Sequence, residues 1–231
     1  VWSQVMAVPP HGKLDHNRDI PHGGNTALMF AARVGDLPSA KLLVTAGANV
    51  NDINAWGVSA TVLATHSGYV ELVEYLLEHG ADPNLANAGF GALHAAVMRR
   101  DKRLVAALLT HGADPNITLE TWTPTRRSSR DYNFSPSLIG ATPFWLAARF
   151  AQPDLMMLLT ESGADPFFVH SVEYTPDSLA GSRAGTVREA TTTLMAAVGM
   201  GGRRRLRTWV PPDLNQIETQ VLESVKLIID L

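Results

Sequence analysis

The sequence predicts an all-α fold, a solenoid of stacked helix-turn-helix units with hairpin-like turns and long loop insertions. The first supporting observation is a repeated phrase, Gly-Ala-Asp-Pro-Asn, which occurs at 80–84 and 112–116 and in looser form at 47–51 and 163–167. The second is its spacing, because the first glycines lie 33, 32 and 51 residues apart. A period of about 20–50 residues is typical of stacked units that bury their apolar faces against one another.

The first unit, 24–56, shows why each element is expected. Its first apolar stretch follows a small polar residue and ends at Gly35, which predicts a short helix. A second helix is predicted over about 39–46. Gly47 then supplies the left-handed backbone conformation that a helix C-terminus favours. The repeated phrase therefore marks the end of each helix pair and the turn that follows it.

The same order of elements recurs along the chain, with three interruptions of the period. The predicted organisation is a loop or partial preceding unit over 1–23 and repeats over 24–56, 57–88, 89–139, 140–189 and 190–231. The insertions that lengthen the last three units are 117–139, 168–189 and 202–220. The final helix pattern, 222–231, stops without a cap and the chain begins without Met, so we expect a fragment of a longer array.

The core phrases of the units carry a family resemblance. Unit four reads Thr-Pro-Phe-Trp-Leu-Ala-Ala at 142–148 and unit three reads Leu-His-Ala-Ala at 93–96. These phrases and the period of 33 resemble the ankyrin repeat, although only His94 keeps the histidine of the family phrase. The many insertions are similar to those of bacterial ankyrin-repeat proteins. The resemblance implies a concave protein-binding face made by the first helices and the turn tips.

Matching the family positions to this sequence predicts which side chains contact a partner. The expected partner-binding residues at these positions are Arg33, Trp56, Phe90, Met98, Arg99, Arg149 and Phe150. Trp122 is added from the 117–139 insertion, which we expect to fold over or beside this face. Aromatic side chains and arginine dominate the energetics of protein interfaces, which favours this set. The alternative is that Trp56 and Phe90 pack on adjacent turns and that Phe150 packs under the 117–139 insertion. The insertions themselves either contribute to binding or are tolerated surface loops.

Other candidate sites are weaker. Arginine clusters at 99–103, 126–130 and 203–207 could bind phosphate or carboxylate groups, but the net charge of −3 favours solvated turns, and we do not expect a nucleic-acid partner. A set of histidines and aspartates between 11 and 22 matches no metal-binding motif. With no cysteine, no catalytic motif and no long apolar window, we predict no metal, no cofactor, no catalytic residue and no membrane span.

The leading functional hypothesis is a monomeric, non-catalytic scaffold that binds a protein partner through the concave face. One alternative is a docking or regulatory segment of a larger enzyme or cofactor protein whose catalytic domain lies outside this chain. A second alternative is a rigid spacer in which the insertions cover the groove. The sequence does not indicate the partner or the cellular compartment.

Overall fold

The computed structural model describes residues 3–6, 20–123, 134–174, 186–201 and 208–231. In these ranges the helices form consecutive pairs. The first helices of the pairs are α1 Ala27–Val34, α3 Ala60–Ser67, α5 Ala92–Arg99, α7 Pro143–Arg149 and α9 Thr193–Ala197. The second helices are α2 Leu37–Thr45, α4 Val70–Glu78, α6 Lys102–Thr110, α8 Pro153–Glu161 and α10 Ile217–Asp230. First helices pack on first helices and second helices on second helices, which gives a two-layered helical solenoid.

Local chemistry explains where the first helices begin and end. Hydroxyl side chains cap several of their N-termini; Thr142, for example, accepts the backbone N–H of Trp145. Gly35 and Gly68 close α1 and α3 in the left-handed conformation, with φ of 77° and 87°. The equivalent residues of units three and four are Arg100 and Ala151, which hold the same unusual conformation at φ of 60° and 48°.

The asparagine that ends each of the first three repeated phrases joins neighbouring units. Asn84 donates from Nδ2 to the carbonyl of Gly112 at 2.9 Å, and its Oδ1 accepts the N–H of Asp114 at 2.7 Å. Asn51 and Asn116 make the same two bonds to the next phrase in the chain. The phrase therefore recurs because its glycine, aspartate and asparagine together form one row of hydrogen bonds along the edge of the array.

The core runs continuously between the two layers and through the units. Its largest fully buried side chains include Leu28, Met29, Leu72, Leu76, Phe90, Leu93, Leu104, Leu108, Phe134, Phe144 and Trp145. Alanines fill the close contacts between first helices, because their small side chains let neighbouring helices approach. No helix in the described ranges is long and apolar enough to cross a membrane.

The structure corrects the prediction of an all-α fold. Strands β1 Ser3–Met6 and β2 Ile20–Gly23 pair antiparallel, as do β3 Val169–Tyr174 and β4 Val187–Thr192. Strand residues therefore occur in 1–23, predicted as a loop or partial preceding unit, and in 168–189, predicted as a loop. In β3 the residues are alternately exposed and buried, which is the period of a half-buried strand. The fold is a helical solenoid that carries two small β-hairpins.

Candidate functional site

The residues just before the end of each first helix lie at equivalent places in successive units. They are Arg33 and Val34, His66 and Ser67, Met98 and Arg99, and Arg149 and Phe150. We call the surface formed by these positions and the adjoining turn tips the concave face. Most of the predicted partner-binding residues fall on it, so their exposure decides what this face can contact.

A row of aromatic rings covers the concave face over units two and three. Phe134 packs against Phe90, with the ring centroids 5.2 Å apart, and against Trp209 at 5.3 Å. Trp209 also makes an edge contact with His66 at 4.9 Å, and Trp56 makes one with Phe90 at 5.7 Å. The Phe134–Trp209, Trp209–His66 and Trp56–Phe90 pairs are edge-to-face, an arrangement that is favourable beyond simple burial. Phe134 and Trp209 come from the two insertions that lengthen units three and five.

Backbone hydrogen bonds fix the insertion of unit three at its base. Leu119 donates its N–H to the carbonyl of Ala141 at 3.0 Å and accepts the N–H of Gly140 at 2.6 Å. Further out, the Thr123 N–H donates to the carbonyl of Phe134, and the Phe134 N–H donates to the Thr123 hydroxyl at 2.7 Å. Leu119 and Phe134 are fully buried. The base of this insertion is therefore part of the core.

Trp209 is held over the groove by its backbone as well as by its ring. Its N–H donates to the carbonyl of Met98, near the C-terminus of α5, at 2.8 Å. The adjacent Thr208 hydroxyl donates to the carbonyl of Val210 at 2.7 Å, which tightens the local turn. The chain segment 208–210 of unit five thus lies across units two and three.

The structure corrects two predicted site residues. Phe90 and Met98 are buried, with 1% and 0% of their surface exposed. Phe90 lies beneath the Phe134 ring, and the carbonyl of Met98 is bonded to Trp209. Neither side chain reaches the surface, so the prediction that they contact a partner directly is wrong. The alternative, that Phe90 packs on neighbouring turns, is the one that the structure supports.

The predicted arginines of units three and four join units to one another. Arg99 donates to the carbonyl of His66 at 2.6 Å, and its guanidinium lies over Gly68, where a Cβ atom would come within 2.3 Å of it. Arg149 donates from Nε to the carbonyl of Gly201 at 2.7 Å. Burial lowers the pKa of Arg149, and the charge of Glu189 opposes part of that shift. Both cations are partly used in holding the array together.

The remaining predicted residues differ in exposure. Trp56, Trp122 and Phe150 are half-buried, and Trp56 and Phe150 pack against the core. Arg33 is exposed. Of the histidines and aspartates between 11 and 22, which match no metal-binding motif, those at 11–19 lie outside the described residues and His22 lies in β2. The arginines at 126–130 and 203–207 also lie outside the described residues. In the ranges that the structure does describe, no group of three or more histidine and acidic side chains could hold a metal ion.

Phe30, an exposed aromatic side chain on α1, was not among the residues that the sequence predicted for the contact face. Phe30 is 61% exposed and Val34 is 66% exposed. Leu63 and Leu146, which correspond to Phe30 in units two and four, are buried. The available signal was the size of Phe30 at a position where unit three has only an alanine. Phe30, Arg33 and Val34 form an open, partly apolar surface on α1, which we call the α1 patch.

Two buried histidines belong to the core. Nδ1 of His94 accepts the N–H of Gly91 at 3.2 Å, which replaces a side-chain cap at the start of α5. Burial lowers the pKa of His94 to about 4, against a smaller opposing effect of the Ile117 and Ala141 carbonyls. Burial likewise lowers the pKa of His170, whose ring packs on Trp145 and bonds to the carbonyl of Ile139. Both imidazoles are neutral packing groups near pH 7.

Comparison with known proteins identifies what the repeats are similar to. A family model described as ankyrin repeats (3 copies) matches residues 11–87 and 28–119. The chain is 36% identical over 104 residues to the DNA replication inhibitor plutonium of Drosophila melanogaster, across 44% of this chain and 59% of that protein. It is 39% identical over 82 residues to ankyrin repeat and SAM domain-containing protein 6 of Rattus norvegicus, across 34% and 9%.

A longer but weaker match extends over most of the chain. Rabankyrin-5 of Mus musculus is 27% identical over 175 residues, across 74% of this chain and 12% of that protein. The chain therefore spans between about a tenth and three fifths of the length of these relatives. All three come from eukaryotes, so the comparisons give no support to the predicted bacterial type.

Proposed function

The chain belongs to the ankyrin-repeat family, and on this premise we propose that it is a non-catalytic scaffold that binds a protein partner. Ankyrin repeats generally mediate protein–protein interactions. In this chain the central part of the concave face is covered by Phe134 and Trp209. The proposed contact surface is therefore the α1 patch, with the half-buried Trp56 at the adjoining turn tip.

The observation that supports this location is the exposure of Phe30 and Val34. An apolar surface on one short helix, beside the cation of Arg33, suits a protein segment with apolar side chains and a carboxylate. Arg99, Trp122, Arg149 and Phe150 form the further part of the proposed face. They are half-buried, so they would contribute at its margin.

The test is affinity capture with the purified chain, followed by measurement of each captured protein's affinity. The double variant Arg33→Glu, Val34→Glu reverses the charge and removes apolar area on α1. Leu42→Glu is a matched control, because Leu42 is 73% exposed on α2, in the other layer. We expect the double variant to lose binding and the control to keep it, with unchanged circular dichroism. Equal binding by both would refute the α1 patch as the contact surface.

A rigid support is the second candidate function. The aromatic cover and the Trp209 backbone bond favour it, because they fill the groove that a partner would otherwise enter. In that case Trp209→Ala would leave partner binding unchanged, whereas a groove-binding scaffold would bind more tightly once the cover is removed. We further propose a monomer without a nucleic-acid partner, which light scattering and a DNA titration would test.

A further inference from the structure

A polar cleft of about 350 Å³ lies on the edge of the array where first helices turn into second helices. Its walls are the turn between α5 and α6, the start of α8 and one face of α10. It therefore joins units three, four and five and is separate from the α1 patch. Its floor is formed by Arg100, Gln152, Leu155 and Gln220, which are buried or half-buried.

Gln152 is an unsatisfied polar group in this floor. Only 4% of its surface is exposed, and neither Oε1 nor Nε2 has a hydrogen-bond partner within the described part of the chain. Buried polar side chains in folded proteins are nearly always hydrogen-bonded. A primary amide offers an acceptor and a donor side by side, so it matches a ligand that presents one of each.

Arg100 adds a half-buried positive charge. Its guanidinium donates to the carbonyls of Phe150 at 2.8 Å and Ala151 at 3.4 Å, and to Oε1 of Gln220 at 3.0 Å. These three acceptors are neutral oxygens, so none of these hydrogen bonds is an ion pair. Arg100 also holds a left-handed backbone at a position where units one and two have glycine. Such strained residues occur preferentially at functional sites.

The start of α8 strengthens the positive character of the cleft. Gln152 is its N-cap residue, and among the described residues no side chain caps this helix. The positive end of the helix dipole therefore faces the same region as Arg100, and Lys102 stands at the rim. Asp154 and Glu223, also at the rim, disfavour a multiply charged anion such as phosphate.

We propose that this cleft binds a single carboxylate with an adjacent amide N–H, as found in a free N-acyl amino acid or at the C-terminus of a peptide. The carboxylate accepts hydrogen bonds from Arg100 and from Nε2 of Gln152. The neighbouring N–H donates to Oε1 of Gln152, which satisfies both ends of the buried amide. One anionic group fits between the basic floor and the acidic rim.

The test is a titration of the ¹⁵N-labelled chain, followed by NMR shifts of residues around the cleft. The probes are N-acetyl-alanine, acetate, N-acetyl-alaninamide, inorganic phosphate and a short peptide with a free C-terminus. We expect saturable shifts with N-acetyl-alanine and weaker or no binding for the other three small probes. If the peptide binds more tightly than N-acetyl-alanine, the ligand of the cleft is the C-terminus of a peptide. If the two bind equally, the ligand is a free N-acyl amino acid.

Two variants separate binding from folding. Arg100→Gly keeps the left-handed backbone and removes the charge, so affinity should fall at least about tenfold. Gln152→Leu should preserve or raise stability while abolishing the preference for N-acetyl-alanine over acetate. Ala151→Gly relieves the same backbone conformation without changing either group and serves as the control. No saturable shift at the cleft, or equal binding of phosphate, would overturn the proposal whatever the outcome at the α1 patch.

Discussion

Replacing Phe134 by alanine tests whether the insertion of unit three is an integral part of the core. The side chain is fully buried and its ring packs on Phe90, Trp209 and His94. Its removal empties the centre of the aromatic row and takes one ring contact from each of these three side chains. The variant should therefore destabilise the array although residue 134 lies outside the repeat period.

The magnitude follows from burial and ring contacts. Phe→Ala substitutions in cores cost about 3–5 kcal/mol, and each aromatic pair adds about 0.5–1.5 kcal/mol to ordinary burial. We expect a loss of about 4 kcal/mol for Phe134→Ala. Since domains of this kind have unfolding free energies of about 5–15 kcal/mol, such a loss is a large part of the total. The control Phe134→Leu keeps most of the volume and should cost about 1–2 kcal/mol.

The assay is urea unfolding followed by circular dichroism, together with hydrogen exchange of the amides in α3 and α5. Hydrogen exchange is needed because solenoids can unfold unit by unit, so that a single transition midpoint does not report the stability of each unit. Faster exchange should be centred on units two and three. A loss below about 1 kcal/mol, or no difference between the alanine and leucine variants, would show that the insertion packs only loosely on the array.

Three further predictions follow from the backbone, the edge of the array and the buried imidazole. Ala151→Gly should raise the unfolding free energy by about 1 kcal/mol in urea titration, because alanine is strained at φ of 48°; an unchanged midpoint would contradict this. Asn84→Ala should lower it by about 1–2 kcal/mol, because the two bonds to Gly112 and Asp114 are lost. His94 has a folded pKa of about 4 against 6.5 in the unfolded chain, so as the pH falls through that window only the unfolded state takes up a proton. The free energy of unfolding should therefore fall by about 3 kcal/mol as the pH is lowered from about 6.5 to about 4. His94→Gln should flatten that pH dependence in thermal melts.

The repeat was predictable from the sequence because its physical causes are local. A glycine that closes a helix in the left-handed conformation, as Gly35 does, is read from residue type and spacing alone. The β3–β4 hairpin was not predicted, because local composition was the only signal used and it pointed to a loop. Its strands are short and the residues between them are rich in Ser and Gly, so composition indicated a loop.

The exposure of site residues was not predictable, because it depends on contacts between distant parts of the chain. Phe90 and Met98 occupy positions that are open in an isolated repeat. Phe134 and Trp209, which cover them, come from insertions that follow no period. The cleft has the same origin, since Gln152 and Gln220 meet only when α8 and α10 pack together.

The position of Trp209 limits how this array can be edited. Solenoids generally tolerate gain or loss of a whole repeat, because each repeat contacts only its neighbours. Here a residue of unit five bonds to the Met98 carbonyl in unit three and packs on His66 in unit two. Excising or duplicating unit four would move Trp209 by a full repeat relative to Met98 and His66, and the aromatic row would lose its Trp209 ring. The number of units between Trp209 and its contacts in units two and three is thus fixed. Whole repeats could be exchanged freely only outside the stretch from unit two to unit five.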